Sequence, residues 1–382
     1  MIRRGNIQND KENNPGYVAR IVPEKEIRLA VAIRGDRILL SDDLGETYRS
    51  LPTRNGPIAT NVINSNPVSV QITSGGKVAS LFIARANYID SFEGTTKACL
   101  TYSTKIVGED GTARWISTDS TSAFRGQSMF VSDTGTRQII FAKVKFSTLD
   151  DSVNAMIYST DKGKTWKYHT KWTGTSWYGT SASDNLKVIA SNTQYSNDYG
   201  MTVNPLDGHG FQIMRVAVSG NGKKIYAIRE KLKGRSTQYT SEAYVSVTTN
   251  HGKTWKNLFD LKVYGQEKLS SDIGFDITTN VLGDCVAFTY KNKYFGWSPN
   301  GGETFVTEEL DHTYVGNFLS MDPSGYYIAI TNSSSVISIL PLSYVSGSEK
   351  TKLYIKDMRN GIETEPIINN AITKVACKAK LR

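Results

Sequence analysis

The side chains of this chain most readily turned to metal binding or thiol chemistry are Cys99, Cys285 and Cys377, with His169, His209, His251 and His312. Their spacing supports neither use. The cysteines are odd in number and far apart, so no disulfide framework follows, and Cys99 and Cys285 lie in apolar runs that read as buried thiols. No histidine stands at metal-ligand spacing from a cysteine or from another histidine, so no metal and no cofactor is expected. Tyr290, Tyr294 and Tyr314 could each serve as a nucleophile, but nothing in the pattern selects one. Arg34-Gly35-Asp36 reads as a hairpin turn.

Charge is the second chemical feature. Lysine and arginine number 45 against 36 acidic residues, a net charge of +9. Such a balance suits a solvated basic surface or an acidic partner: an acidic protein face, a sialylated or sulfated glycan, or nucleic acid. No nucleic-acid module is recognisable, so direct nucleic-acid recognition is not expected. The bias is strongest at the C-terminus, where Lys374, Lys378, Lys380 and Arg382 follow Asn369 without an acid; Arg3 and Arg4 open the chain. These four C-terminal residues are the candidate contacts to other protein subunits.

The elements that would position any site are set by two repeats. One is Ser/Thr-x-Asp/Asn-x-Gly-x-Thr-aromatic, present at Ser41–Tyr48, Ser159–Trp166, Thr248–Trp255 and Ser298–Phe305. In each copy the Asp or Asn can accept backbone N–H groups of the turn that follows it, and the Gly supplies a positive φ. The aromatic then re-enters a strand. The residues that define the repeat are Asp43, Gly45 and Tyr48; Asp161, Gly163 and Trp166; Asn250, Gly252 and Trp255; and Asn300, Gly302 and Phe305. Trp166 and Trp255 are expected to be buried behind their turns. The other repeat is a polar turn between two β-branched runs, clearest at 216–227 and 319–329 and looser at 70–79, 129–142, 180–190 and 277–287. The two units alternate as a four-stranded blade requires.

The first repeat resembles the Asp-box, or bacterial neuraminidase repeat, of sialidase-like β-propellers. That resemblance implies an all-β fold of six or seven blades with Asp-box hairpins and short terminal extensions. The expected blades run at about 17–52, 67–116, 124–172, 176–212, 213–259, 271–309 and 314–345. The second is read with a stretched box between Tyr102 and Trp115, and the fourth with no box, its 192–200 segment a long loop. Residues 1–16 read as a polar arm and 17–345 as the propeller. Residues 346–382 read as a basic extension with a strand at 352–356 and a short helix after Pro366, where Ile367, Ile368, Ala371, Ile372, Val375 and Ala376 have approximate helical spacing. One terminal strand should also complete the first or last blade.

In sialidases, three arginines hold the substrate carboxylate beside a Tyr nucleophile, a Glu and an Asp acid–base, so the resemblance also poses a catalytic question. Arg20-Ile21-Val22-Pro23 stands where the family carries its Arg-Ile-Pro motif, with one extra residue, which makes Arg20 the candidate clamp. Asp36 is the one acid offered before the first box. Arg215, Arg229, Arg235 and Arg359 follow, with no arginine in a blade strand after Gly265. The set is incomplete, and the expectation is a protein that is not an enzyme. Trp172, Trp177, Tyr178, Tyr195 and Tyr199 cluster as a sugar stack would, or as fillers between blades would. Insertions at Tyr88–Thr96 and Lys231–Ser241 are further candidate contact loops.

No apolar run reaches membrane-spanning length, and the start lacks the apolar stretch of a signal peptide, so the expected location is virion or cytoplasmic. The leading functional reading is a non-catalytic, structural or protein-interaction propeller, with the residue style of a phage-tail or capsid accessory protein. The alternatives are a glycan-directed protein, either a divergent sialidase or a receptor-binding subunit, and a cellular assembly factor resembling the photosystem-assembly propellers that carry the same boxes.

Overall fold

Polar turns between β-branched runs form hairpins here, and the hairpins pair onward into four-stranded antiparallel sheets. The computed structural model of the chain describes residues 27–33, 37–42, 47, 49–51, 62–72, 78–86, 101–107, 113–116, 122–146, 152–169, 171–172, 179–233, 240–264, 275–291, 294–309, 317–323, 325, 327–332, 353–357, 363–364 and 372–379. Seven four-stranded sheets lie within them.

The first sheet carries β1 (Ile27–Ile33), β2 (Arg37–Ser41) and β3 (Arg49–Leu51). The second is β4 (Val62–Ile72), β5 (Val78–Ala86), β6 (Thr101–Val107) and β7 (Ala113–Ile116). The third is β8 (Ser122–Val131), β9 (Gln138–Phe146), β10 (Ser152–Ser159) and β11 (Lys167–His169). The fourth is β12 (Ser181–Ala182), β13 (Ile189–Ala190), β14 (Gln194–Ser196) and β15 (Asn204–Pro205). The fifth is β16 (Gln212–Val218), β17 (Ile225–Lys233), β18 (Thr240–Thr248) and β19 (Lys256–Asp260). The sixth is β20 (Asp276–Thr279), β21 (Val286–Tyr290), β22 (Tyr294–Ser298) and β23 (Val306–Glu309). The seventh is β24 (Asn317–Met321), β25 (Tyr327–Asn332), β26 (Leu353–Asp357) and β27 (Glu363–Thr364).

The last strand, β28 (Ile372–Ala379), returns to the first sheet and pairs antiparallel with β1, Val375 opposite Val31 and Lys378 opposite Arg28. It takes the first position of that sheet, as β4, β8, β12, β16, β20 and β24 do in theirs, and it lies beside both β4 and β24. The first and last described strands are therefore joined in one sheet. This corrects two expectations. The segment 346–382 is not a separate extension, because β26 and β27 complete the seventh sheet and β28 completes the first. The short helix after Pro366 is absent from 372–379, which is strand. Over so short a run, Val375, Cys377 and Ala379 also alternate with Lys374, Ala376 and Lys378, as strand residues do. The arm 1–16 lies outside the described residues, as does the box at 43–46 and Tyr48.

Apolar layers sit between consecutive sheets. Ile139, Phe141 and Met156 of the third meet Trp172, Leu186 and Ile189. Val188, Ala190 and Leu206 meet Ile213, Val216 and Ile225 of the fifth. Tyr226, Ile228 and Val245 meet Ile277, Val286 and Phe288 of the sixth. Cys285, Ala287 and Phe295 meet Leu319, Met321 and Ile328 of the seventh. Each middle sheet is thus covered on both faces, and every residue of β21, Val-Ala-Phe-Thr-Tyr, is buried. Burying one such Phe stabilises by about 1.5–3 kcal/mol, so these layers are the principal attraction between sheets.

In the third to seventh sheets the turns between first and second strands share one construction. They open on Ser132, Ser183, Ser219, Asn280 and Asp322, whose N–H donates to the carbonyl five residues on. The side-chain oxygen of each opener accepts the N–H of that same residue, at 2.8–3.1 Å. Three residues after each opener stand Gly135, Leu186, Gly222, Gly283 and Gly325, with φ of 70, 60, 73, 67 and 80°. Leu186 holds a conformation that costs an L-residue about 1–2 kcal/mol, offset by its burial against the third sheet. Backbone groups of these turns also reach across sheets: Asp133 N–H donates to Asp184 O (3.0 Å), Asp184 N–H to Gly220 O (2.9 Å), Asn221 N–H to Val281 O (2.9 Å) and Val281 N–H to Pro323 O (3.4 Å). A collar of main-chain bonds joins the third to the seventh sheet at this end of the molecule.

Candidate functional site

The described boxes lie between the third and fourth strands of their sheets, and their polar side chains point into their own turns. At Ser159–Trp166 the Ser159 hydroxyl accepts the Gly163 N–H at 2.8 Å and donates to Asp161 Oδ1 at 2.7 Å. The Asp161 carboxylate accepts the Thr165 hydroxyl at 2.6 Å and the Thr165 and Lys164 amides at 2.9 and 3.0 Å. Led by the Thr165 bonds, this holds Asp161 well below the usual carboxylate range. In the boxes at Thr248 and Ser298 the amide Nδ2 of Asn250 and Asn300 donates to Thr254 and Thr304 hydroxyls instead, with no titrating group. Both residues at the tip of each described box are left-handed. Lys162, His251 and Gly301 have φ of 62, 56 and 70°, and the box glycines 163, 252 and 302 have 76, 83 and 94°.

A further box was not legible as one. Ser196-Asn197-Asp198-Tyr199-Gly200-Met201-Thr202-Val203 makes the same bonds: Ser196 hydroxyl to Asp198 Oδ1 (2.7 Å), Gly200 N–H to Ser196 (2.9 Å) and Thr202 N–H to Asp198 (2.8 Å). The fourth sheet therefore carries a box, and 192–200 is not a long loop but includes β14. The signal in the sequence was Ser-x-Asp-x-Gly-x-Thr without its aromatic, since Val203 stands there. The missing ring is supplied by Trp172, which is fully buried, donates to Gly200 O at 3.1 Å and meets Phe141 edge-on at 5.2 Å. At Asp198 burial opposes ionisation, and the Thr202 and Ser196 bonds outweigh it and lower its pKa. Trp166 and Trp255 are half-buried, not buried as expected. Each caps a turn through its indole N–H, Trp166 to Gly163 O (3.1 Å) and Trp255 to Asp207 O (2.7 Å).

Beside Trp255 lies a polar cluster centred on Arg229. Arg229 on β17 is buried; its Nη1 donates to Gly208 O (3.0 Å) and its Nη2 to Asn257 Oδ1 (2.6 Å). Its guanidinium lies 4.8 Å from the Trp255 ring centre and 5.0 Å from that of Phe211. Its buried Nε makes no hydrogen bond, and burial pulls the group down to about 10. His209 Nε2 meets Gly252 O at 2.8 Å, and His251 stacks on Tyr195 at 5.0 Å. Burial, with the nearby Lys253 charge, keeps His251 below the ordinary histidine range. The arrangement fastens the connection after the fourth sheet to the fifth.

The sequence candidates for catalysis do not converge. Arg215 hydrogen-bonds Met214 O at 3.3 Å and lies over Phe275, between the fifth and sixth sheets. Tyr290 is buried in the apolar layer of those two sheets, and Tyr294 packs against it half-buried. Cys285 is a buried free thiol, pushed up to about 12 by burial and by the Asp284 and Asp322 charges. Arg20, Asp36, Tyr314, Arg235, Arg359, Trp177, Tyr178, Cys99 and His312 lie outside the described residues, as do 88–96. Of Lys231–Ser241, residues 231–233 and 240–241 belong to β17 and β18, and 234–239 lie outside the described residues. Lys374 and Lys378 are on β28, while Lys380 and Arg382 fall outside the described residues. Among the described residues no group of three or more His, Cys, Asp or Glu could hold a metal.

No protein-family model and no curated protein sequence matches the chain. It is similar to solved structures of β-propeller proteins. One is a putative TolB from Agrobacterium tumefaciens, 11% identical with a TM-score of 0.41 over 91% of each chain. Another is an oligogalacturonate lyase in complex with manganese, 10% identical with a TM-score of 0.44, covering 77% of this chain and 74% of that one. A third is YCF48 bound to D1 peptide, 12% identical with a TM-score of 0.47, covering 92% of this chain and 94% of that one. At these identities the likeness concerns fold alone. The protein is an all-β chain of four-stranded antiparallel sheets of the propeller kind.

Proposed function

We propose that this chain is a non-catalytic protein-interaction platform that works inside a larger assembly, as a virion component or a cytoplasmic one. The observation that supports it is the engagement of the described reactive side chains in holding the sheets together. Arg229 ties a connection to Asn257, Asp161 and Asp198 close their own turns, and Tyr290 and Cys285 are buried in apolar layers. A platform needs a surface that keeps its shape, and the main-chain collar with its apolar layers supplies one. Two measurements test the reading. Purified protein should release no product from a fluorogenic sialoside; turnover that Arg20→Ala abolishes while the fold survives overturns it. In native extract the chain should travel with other protein subunits, and recovery as a free 42.2 kDa chain contradicts it.

A further inference from the structure

Two outer edges of the molecule carry the same local structure with opposite charge. In the third sheet, the box Ser159–Trp166 leads into β11, and Lys162, Lys164, Lys167 and Lys171 are all exposed. The one acid between Ser159 and Trp172 is Asp161, tied into its turn by Thr165 and Ser159. In the sixth sheet, the box Ser298–Phe305 leads into β23. There Glu303 and Glu309 are exposed and Glu308 is half-buried, and no Lys or Arg occurs between Ser298 and Glu309. Lys164 and Glu303 occupy the same box position, one residue after the box glycine. The corresponding strand of the fifth sheet, β19, is mixed, with Lys256 and Asp260 both exposed.

The same two edges expose apolar area. Among the described residues the exposed large hydrophobics are Tyr168, 43% accessible, on β11 and Val306, 62% accessible, on β23. Both strands are last in their sheets, so each presents one side of its backbone outward. An apolar residue ringed by charge on a sheet edge is the composition of a small interface, with attraction from area and register from charge.

We infer that the occupant of the basic edge is the acidic edge of a second copy of this chain, β11 of one molecule lying against β23 of the next. The matching of charge at equivalent positions selects this partner over an unrelated one. The two patches are different surfaces, three sheets apart in the chain's order of seven, so the contact is heterologous and each copy keeps one edge open for another. The product is a head-to-tail array rather than a closed two-fold dimer. This names one partner for the platform and rests on that reading.

Sedimentation velocity on the full chain tests it, at about 50 mM and about 500 mM salt, the second of which screens charges beyond a few ångströms. The mass should rise with concentration at low salt and return to monomer at high salt. Association that strengthens with salt would mean that the net charge of +9 dominates, and would overturn the charge-matched contact. Lys164→Glu with Lys167→Glu, and separately Glu303→Lys with Glu309→Lys, should each weaken association by about tenfold or more. An equimolar mixture of the two variants should restore it, because each then offers the other a complementary edge. If the acidic-edge variant fails to melt like the parent, Glu303→Lys with Val306→Lys replaces it. A chain that is monomeric at every concentration, variants that associate like the parent, or a mixture that stays dissociated overturns the inference. Loss of self-association with other subunits still bound would leave the platform reading standing, which separates the two failures.

Discussion

In the turns between first and second strands, the axial turns, the amides of Asp133, Asp184, Asn221 and Val281 cross to a carbonyl of the next sheet. In the outer boxes the amides of Thr165, Thr202, Thr254 and Thr304 return to an Asp or Asn of their own turn. Both sites use a short polar side chain to close a tight turn around left-handed residues, yet the consequences differ. The axial turns tie the third to the seventh sheet into one body. The boxes complete a single sheet each and reach the neighbour through what packs beneath their glycine. A Cβ on Gly252 would meet Leu206 of the fourth sheet at 2.8 Å, and one on Gly302 would crowd Leu258 of the fifth. The outer rim can therefore vary its exposed residues, Lys164 in one box and Glu303 in another, without disturbing the ring.

The largest expected effect lies where the two regions meet. Trp172 fills the space under the aromatic-less box and packs in the layer that includes Leu186 of an axial turn. Trp172→Ala should cost about 3–5 kcal/mol, read as a fall in denaturant midpoint at unchanged slope. A loss below about 1 kcal/mol would mean that the box at 196–203 stands without it.

Next come the paired glycines of the sixth-sheet box. Gly302→Ala should cost about 2–4 kcal/mol, from left-handed strain and from crowding Leu258. Gly301→Asn should be close to neutral, since Lys162, Tyr199 and His251 hold that position elsewhere at φ of 62, 67 and 56°. Equal losses in the two variants would show that the box tolerates packing from neither side.

These contrasts also show what could be read beforehand. The repeats announced the sheets because hairpin chemistry is local: a polar opener, a left-handed residue and flanking β-branched runs sit within a dozen residues. The box at 196–203 escaped because its ring comes from position 172 rather than 203. The strand 372–379 reads as helix in the sequence because Ile372, Val375 and Ala376 stand three and four apart, a helical spacing that short apolar runs in strands also show. The Arg229 cluster was invisible because Phe211, Arg229 and Trp255 are brought together only by sheet pairing and by packing of one sheet on the next. Arg20 and Asp36 remain expectations from resemblance.

The smallest effect is electrostatic. Asp161 and Asp198 have depressed pKa values in the folded state, so their contribution to stability is present above the ordinary carboxylate pKa and is lost as pH falls toward the folded one. The melting temperature should therefore decline on acidification below about pH 4–5. Asp161→Asn with Asp198→Asn, which copies the boxes at 250 and 300, should flatten that decline while leaving neutral-pH melting little changed. A decline of unchanged steepness would assign acid sensitivity to other carboxylates.

Amide hydrogen exchange under native conditions reads both kinds of turn in one molecule. The amides of Asp184, Asn221 and Val281 should exchange only through global unfolding, near the full stability of the protein. Those of Thr165, Thr254 and Thr304 should exchange faster, through local opening at the rim. Box amides protected as strongly as the axial ones, or axial amides that exchange first, would contradict a rigid ring carrying an adaptable outer edge.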